Sequence, residues 1–228
     1  MQIVPNVYRV PGVVANVFVL VDPDALTLID AGLPYSQRPI LDYVARLGYP
    51  PQAVRRLLVT HADRDHMGSA AALRERTGAR VCASRIEGEA MARGQQTRYL
   101  HLAGWMGLAF KLLSRVLFVR ARPAPPDEIV ADGQVLPVLG GLHVLATPGH
   151  TPGHVSFFAP GPGVLFAGDS LRSLGGRLRV SNGANTADEA QARESARRQL
   201  ALGPRVICAG HGPAIFPAAL SPLQGGLS

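Results

Sequence analysis

The chain has 228 residues, of which 47% are hydrophobic and only 17% charged. That length and apolar content suit one large domain with a thick core, read here as a single domain over residues 1–228, and exclude a disordered or fibrous chain. The net charge is +7, carried almost wholly by arginine, with Lys111 the one lysine; the arginines are scattered, without a dense run or interleaved aromatics, so no nucleic-acid partner is expected.

In chain order, the first bursts are Asn6 to Val10, Asn16 to Val21 and Leu26 to Asp30, separated by Pro11-Gly12, Asp22-Pro23-Asp24 and Gly32. Short apolar bursts between turn residues read as a strand meander. Ser36 then offers a cap to a helix with Ile40, Leu41, Val44 and Leu47 on one face, closed by Gly48. Val54 to Thr60 reads as a strand, and His66 to Thr77 as one helix that Gly78 stops. Cys82 and Cys208 each lie in an apolar, strand-like run and read as two buried thiols in a reducing compartment. The N-terminus has no basic segment followed by an apolar one, so a cytoplasmic protein is expected.

Residues 84–126 change rhythm and read as a helical insertion. Leu102 to Val119 is strongly apolar, but Lys111 and Arg115 near its middle argue against a membrane span. Gly104, Gly107, Lys111, Ser114 and Arg115 fall at helical spacing and leave a wide apolar face. That face has three readings: a core helix, a homodimer contact, or a lid over a cleft that takes a substrate with an apolar tail. The second half returns to short strands at Gly141 to Ala146, Val155 to Ala159, Val164 to Ala167 and Arg205 to Ala209, with a helix over Thr186 to Leu202.

Polar clusters follow four of these strands. After Val59-Thr60 comes His61-Ala62-Asp63-Arg64-Asp65-His66; after Leu145-Ala146 comes Thr147-Pro148-Gly149-His150-Thr151-Pro152-Gly153-His154. After Phe166 comes Ala167-Gly168-Asp169-Ser170, and after Cys208 comes Ala209-Gly210-His211-Gly212. A lone histidine before a helix is ordinarily a capping or solvated residue. Four clusters of imidazole and carboxylate at strand ends are the donor set of a divalent cation.

In their order these clusters resemble the metallo-β-lactamase superfamily, whose signature is His-x-His-x-Asp-His followed by His, Asp and His. The resemblance runs from Asp30 in Ile29-Asp30-Ala31-Gly32 to His211, nearly the whole chain. It implies an α/β fold, a four-layer αββα sandwich with two metal ions in a cleft at one edge. It further implies that His61, Asp63 and His150 hold the first ion, that Asp65, His66 and His211 hold the second, and that Asp169 bridges them. His154 and Asp30 are implied as supports rather than ligands.

One departure stands out. Position 63 is aspartate where most of the family has histidine. Flavodiiron members carry a carboxylate there too, as glutamate, and bind iron. Carboxylate is a harder ligand than imidazole, so Fe or Mn joins Zn as the expected divalent metal. By the resemblance, the activity is hydrolysis by a metal-bridging hydroxide, with Asp65 catalytic: it orients the nucleophile and passes its proton to the leaving group. Family substrates include β-lactams, lactones, thioesters, phosphodiesters and alkyl sulfates. The chain ends seventeen residues after His211 and has Ser170-Leu171-Arg172 where lactonases place a tyrosine. The reading is therefore a small hydrolase of an ester, lactone or thioester, without the C-terminal helical domain of glyoxalase II. A di-iron redox protein served by a separate electron donor is the alternative.

Overall fold

The computed structural model describes residues 1–97 and 121–217. In the first half, β1 (Gln2–Val4), β2 (Val7–Arg9), β3 (Phe18–Val21) and β4 (Leu26–Ile29) form the expected meander. It is followed by α1 (Gln37–Arg46), β5 (Val54–Leu58), α2 (Arg64–Met67), α3 (Ala70–Thr77), β6 (Arg80–Ala83) and α4 (Arg85–Ala92). The second half holds β7 (Glu128–Ile129), β8 (Val135–Leu136), β9 (Leu142–Ala146), β10 (Val155–Ala159) and β11 (Val164–Gly168). The hairpin β12 (Leu171–Leu174) and β13 (Arg177–Val180), then α5 (Glu189–Ala201) and β14 (Val206–Ala209), complete it.

β1 to β7 make one sheet in chain order, and β14-β11-β10-β9-β8 make a second. Strand alternation assigns successive side chains to different cores. On β3, Phe18 and Leu20 face the space between the sheets while Val19 faces the helical side; on β5, Leu58 and Leu57 divide in the same way. In the second sheet Phe157 and Phe166 enter the inter-sheet core, and Phe158 and Leu165 pack outward under α5. Three apolar layers thus separate helix, sheet, sheet and helix, the αββα sandwich. Phe18 and Phe166 meet edge to face across the middle layer, ring centroids 5.3 Å apart. Full burial of each such side chain stabilises the fold by roughly 1.5–3 kcal/mol.

Topology gathers the strand ends that matter. β4 and β5 run parallel, as do β11 and β14, and β9 runs with them because it and β11 are both antiparallel to β10. The C-terminal ends of β4, β5, β9, β11 and β14 therefore open at one edge of the sandwich. The sheets are joined there by backbone bonds, from Val155 N–H to the Thr60 carbonyl at 3.0 Å and from Asn16 N–H to the Gly210 carbonyl at 2.7 Å.

Three expectations change. The helix read over His66 to Thr77 is two helices, α2 and α3, broken at Gly68 and Ser69. A Cβ at Gly68 would collide with Pro34 and the Arg64 carbonyl, and Ser69 donates its hydroxyl to the Leu33 carbonyl at 2.6 Å, so the chain turns here to lie flush on residues 33 and 34. Ser36 precedes α1 as expected, yet its hydroxyl makes no capping bond. Of the insertion over residues 84–126, only α4 is helical among the described residues; the Leu102 to Val119 helix, with its lid and dimer readings, lies outside them. No helix among the described residues is long and apolar enough to cross a membrane.

Candidate metal centre

All seven implied ligands converge on the edge where the five strands end. Three overlapping groups, His61 with Asp63 and His150, His61 with His66 and Asp169, and Asp65 with His66 and His211, have donor atoms within 4.8 Å of one another. Asp63 Oδ2 lies 3.5 Å from His61 Nε2 and 3.3 Å from His150 Nε2. Asp65 Oδ2 lies 3.2 Å from His211 Nε2 and 3.9 Å from His66 Nε2. Asp169 stands between the groups, 3.4 Å from His66 Nε2, 3.7 Å from His150 Nε2 and 3.5 Å from His211 Nε2.

Three of the four ligand histidines are oriented through their other nitrogen. Nδ1 of His61 meets the Thr60 hydroxyl at 2.9 Å, Nδ1 of His66 the Asp30 carboxylate at 2.8 Å, and Nδ1 of His150 the Ser181 hydroxyl at 3.1 Å. That leaves Nε2 of all three for the centre, the arrangement metal-ligating histidines ordinarily have. Asp30 carries a left-handed φ of 63° and also accepts from the Thr60 N–H at 2.8 Å, so one buried carboxylate supports two neighbouring ligands. His154 is engaged at both nitrogens: Nδ1 meets the Thr147 hydroxyl at 2.8 Å, and Nε2 accepts the Asp169 N–H at 3.1 Å. It holds the backbone of Asp169 and has no nitrogen left for a cation. Asn16 ties down the His211 loop, donating to the carbonyls of Ala209 at 2.9 Å and Gly212 at 2.7 Å. At Gly210 a Cβ would collide with Asp169 Oδ1, so the loop comes this close only as glycine.

Electrostatics mark the same atoms. Burial opposes charge on His66, but Asp169 and Asp30 outweigh it and raise its pKa well above the ordinary value. The hydrogen bond to Asp65 raises His211. Burial lowers both His150 and His154. Burial works against ionised Asp65, yet the bond from His211 and the charges of His66 and His211 bring it down to about 2. Asp169, opposed by burial, is carried well below the usual carboxylate range chiefly by His66.

The donor set fits divalent cations. His61 Nε2, His66 Nε2 and Asp169 Oδ1 are buried and have no hydrogen-bond partner among the described residues. A buried polar atom without a partner costs about 1–3 kcal/mol, a cost that coordination removes. The adjoining cleft has a volume of about 180 Å³ and is lined by Asp63, Asp65, His150, Asp169, Arg172, Asn185 and His211. Every lining side chain is polar.

This fold and donor set define a candidate site for divalent cations at the edge of an αββα sandwich. The sequence profile described as the Metallo-beta-lactamase superfamily matches residues 10–211, and the chain belongs to that family. It is 31% identical over 158 residues to a hydroxyacylglutathione hydrolase of Rhodobacter capsulatus, covering 68% of this chain and 47% of that one, so the chain spans about half that relative's length. It is 28% identical over 216 residues to the probable metallo-hydrolase YflN of Bacillus subtilis, covering 87% and 81%. A metallo-beta-lactamase family protein from Thermus thermophilus superposes with a TM-score of 0.74 at 26% identity, over 94% of this chain and 76% of that one.

Proposed function

We propose that the chain is a dinuclear hydrolase of a small ester, lactone or thioester, in which His61, Asp63 and His150 hold one ion, Asp65, His66 and His211 the other, and Asp169 both. The observation that carries this reading is the trio of buried, unpartnered donor atoms on His61, His66 and Asp169, each of which belongs to one or more of the three ligand groups. When bound, two divalent cations polarise a target carbonyl and activate water at neutral pH.

The chain's own side chains do the rest. Asp65, half-buried at the cleft and held ionised, accepts the proton of the attacking water and returns it to the leaving group. Arg172 is the one lysine or arginine lining the cleft, has no hydrogen-bond or ion-pair partner among the described residues, and receives an anionic group of the substrate. Thioesters are favoured within the class because several relatives are named for hydroxyacylglutathione, an acyl thioester. Asp63 favours Fe or Mn beside Zn. Two free, buried cysteines, Cys82 and Cys208, fit a reducing cytoplasmic location.

Elemental analysis of the purified protein tests the centre, with two ions per chain expected. Asp169→Ala should lose both ions and, with them, hydrolysis across an ester, lactone and thioester panel. Fully active protein that never exceeds one ion per chain removes the dinuclear reading. A di-iron redox centre is the second reading, favoured by Asp63; two irons with no hydrolysis of the panel would select it.

A further inference from the structure

We propose that Glu87 is a positioning residue that fixes the spacing between the two loops that supply His61, Asp63 and His150. Glu87 lies in the first turn of α4 and is fully buried. Its two carboxylate oxygens take four donors. Oε2 accepts from the Ala62 N–H at 2.8 Å and the Thr97 hydroxyl at 2.7 Å. Oε1 accepts from the Thr151 hydroxyl at 2.8 Å and the Gly153 N–H at 2.9 Å.

These partners are not scattered. Ala62 sits between His61 and Asp63, and Thr151 follows His150 directly. One carboxylate therefore clamps, oxygen by oxygen, the loop after β5 and the loop after β9, which lie on different sheets. Ser84, the N-cap of α4, reinforces the second grip by donating to the Gly153 carbonyl at 2.6 Å. The turn is closed tightly on α4: a Cβ at Gly153 would come within 2.7 Å of the Ile86 Cβ and 2.8 Å of Glu87 Oε1.

A carboxylate is the side chain that fits. Among the described residues no lysine, arginine or histidine pairs with Glu87, so its burial is compensated by the four donors and by the N-terminus of α4. Glutamine would turn an NH₂ group toward either the Ala62 N–H or the Gly153 N–H, and release the loop that carries it. Asp63 is held from the same side of the molecule, because Gln96, just beyond α4, donates to its Oδ1 at 3.1 Å. The start of the insertion thus shapes one half of the metal centre, while Asp65, His66 and His211 receive no bond from it among the described residues.

The proposal rests on the dinuclear reading, and Co²⁺ titration of the metal-free protein tests the two separately. The first ion is identified as the absorption band lost in His150→Ala. Glu87→Gln should weaken that ion's affinity about tenfold or more and leave the second ion within about twofold. Thr151→Val, which removes one of the four donors and keeps the carboxylate, should shift the same ion in the same direction. Should Glu87→Gln not fold, Thr151→Val decides by the same criterion. Equal weakening of both ions, or no change in either, overturns the assignment while leaving the dinuclear centre intact. A wild-type chain that takes up fewer than two Co²⁺ overturns the dinuclear reading and the positioning role with it.

Discussion

At the scale of single residues, Asp63 decides the character of the centre. Its Oδ2 faces His61 and His150, and its Oδ1 accepts from Gln96. On the dinuclear reading proposed above, three aspartates beside two divalent cations would leave less net positive charge than the usual histidine pattern, and the centre would acidify water less. Asp63→His should raise the Zn share of the bound metal at the expense of Fe and Mn and lower the pH at which hydrolysis rises. Metal content from cells grown with mixed metals, together with a pH–rate profile, checks both; an unchanged metal profile would place Asp63 outside the coordination sphere. That these ligand types lay near one another was legible because each cluster follows a strand end, three of the four beside a glycine. Their supports were not legible. Ser181 serves His150 from 31 residues away, and Asn16 holds Ala209 from 193 residues away, distances across which one sequence carries no signal. Glu87 was hidden in the same way, since its partners come from two sheets. Thr60 was the exception in principle, being a hydroxyl directly before a ligand histidine.

At the scale of elements, the strands that alternate or run apolar between turn residues were readable, and those that do not were missed. β7 and β8 are two residues each, too short to show a period. The hairpin of β12 and β13 did carry a signal: Leu171 and Ser173 are buried while Arg172 and Leu174 face out, with Gly175-Gly176 at the turn, the alternation and glycine pair of a tight hairpin. Its cost is visible in the register. Arg172 stands directly opposite Arg179, and like charges across an antiparallel pair are destabilising. That pairing gives Arg172 no favourable cross-strand partner, and its place in the cleft wall fits the anion-binding role proposed for it. For a thioester bearing a carboxylate, Arg172→Gln should raise KM by about ten- to a hundredfold, the loss expected of one charge-assisted hydrogen bond of about 1.5–3 kcal/mol. The matched neutral thioester should be turned over as before. Equal losses on both substrates would assign Arg172 to the hairpin's structure instead.

At the scale of the whole molecule, metal, protons and folding compete for the same histidines. The edge of the sandwich is held by side chains from both sheets, so ions bound there stabilise the folded chain over the unfolded one, by about 4 kcal/mol when free metal stands a thousandfold above its dissociation constant. His66 and His211 have raised pKa values in the metal-free fold, so they keep their protons to a higher pH than free histidine, whose value is 6.5. A raised value contributes stability to the metal-free fold that is fully present below 6.5 and is lost as pH climbs through the folded value. Bound metal works in the opposite direction, because both imidazoles must release protons to coordinate. His150, lowered by burial, offers its nitrogen with little competition, and Asp65, at about 2, and Asp169, lower still than a normal carboxylate, stay ionised throughout. The competition therefore falls on the Asp65, His66 and His211 group. The gap in thermal stability between metal-loaded and metal-free protein should widen steadily as pH rises from about 5.5 to 8, and metal binding near pH 7 should release up to two protons per chain. Thermal unfolding of both forms across that range, with calorimetric titration in buffers of different ionisation enthalpy, measures the two quantities. A gap that stays constant with pH, together with proton-neutral binding, would mean that His66 and His211 do not hold the metal.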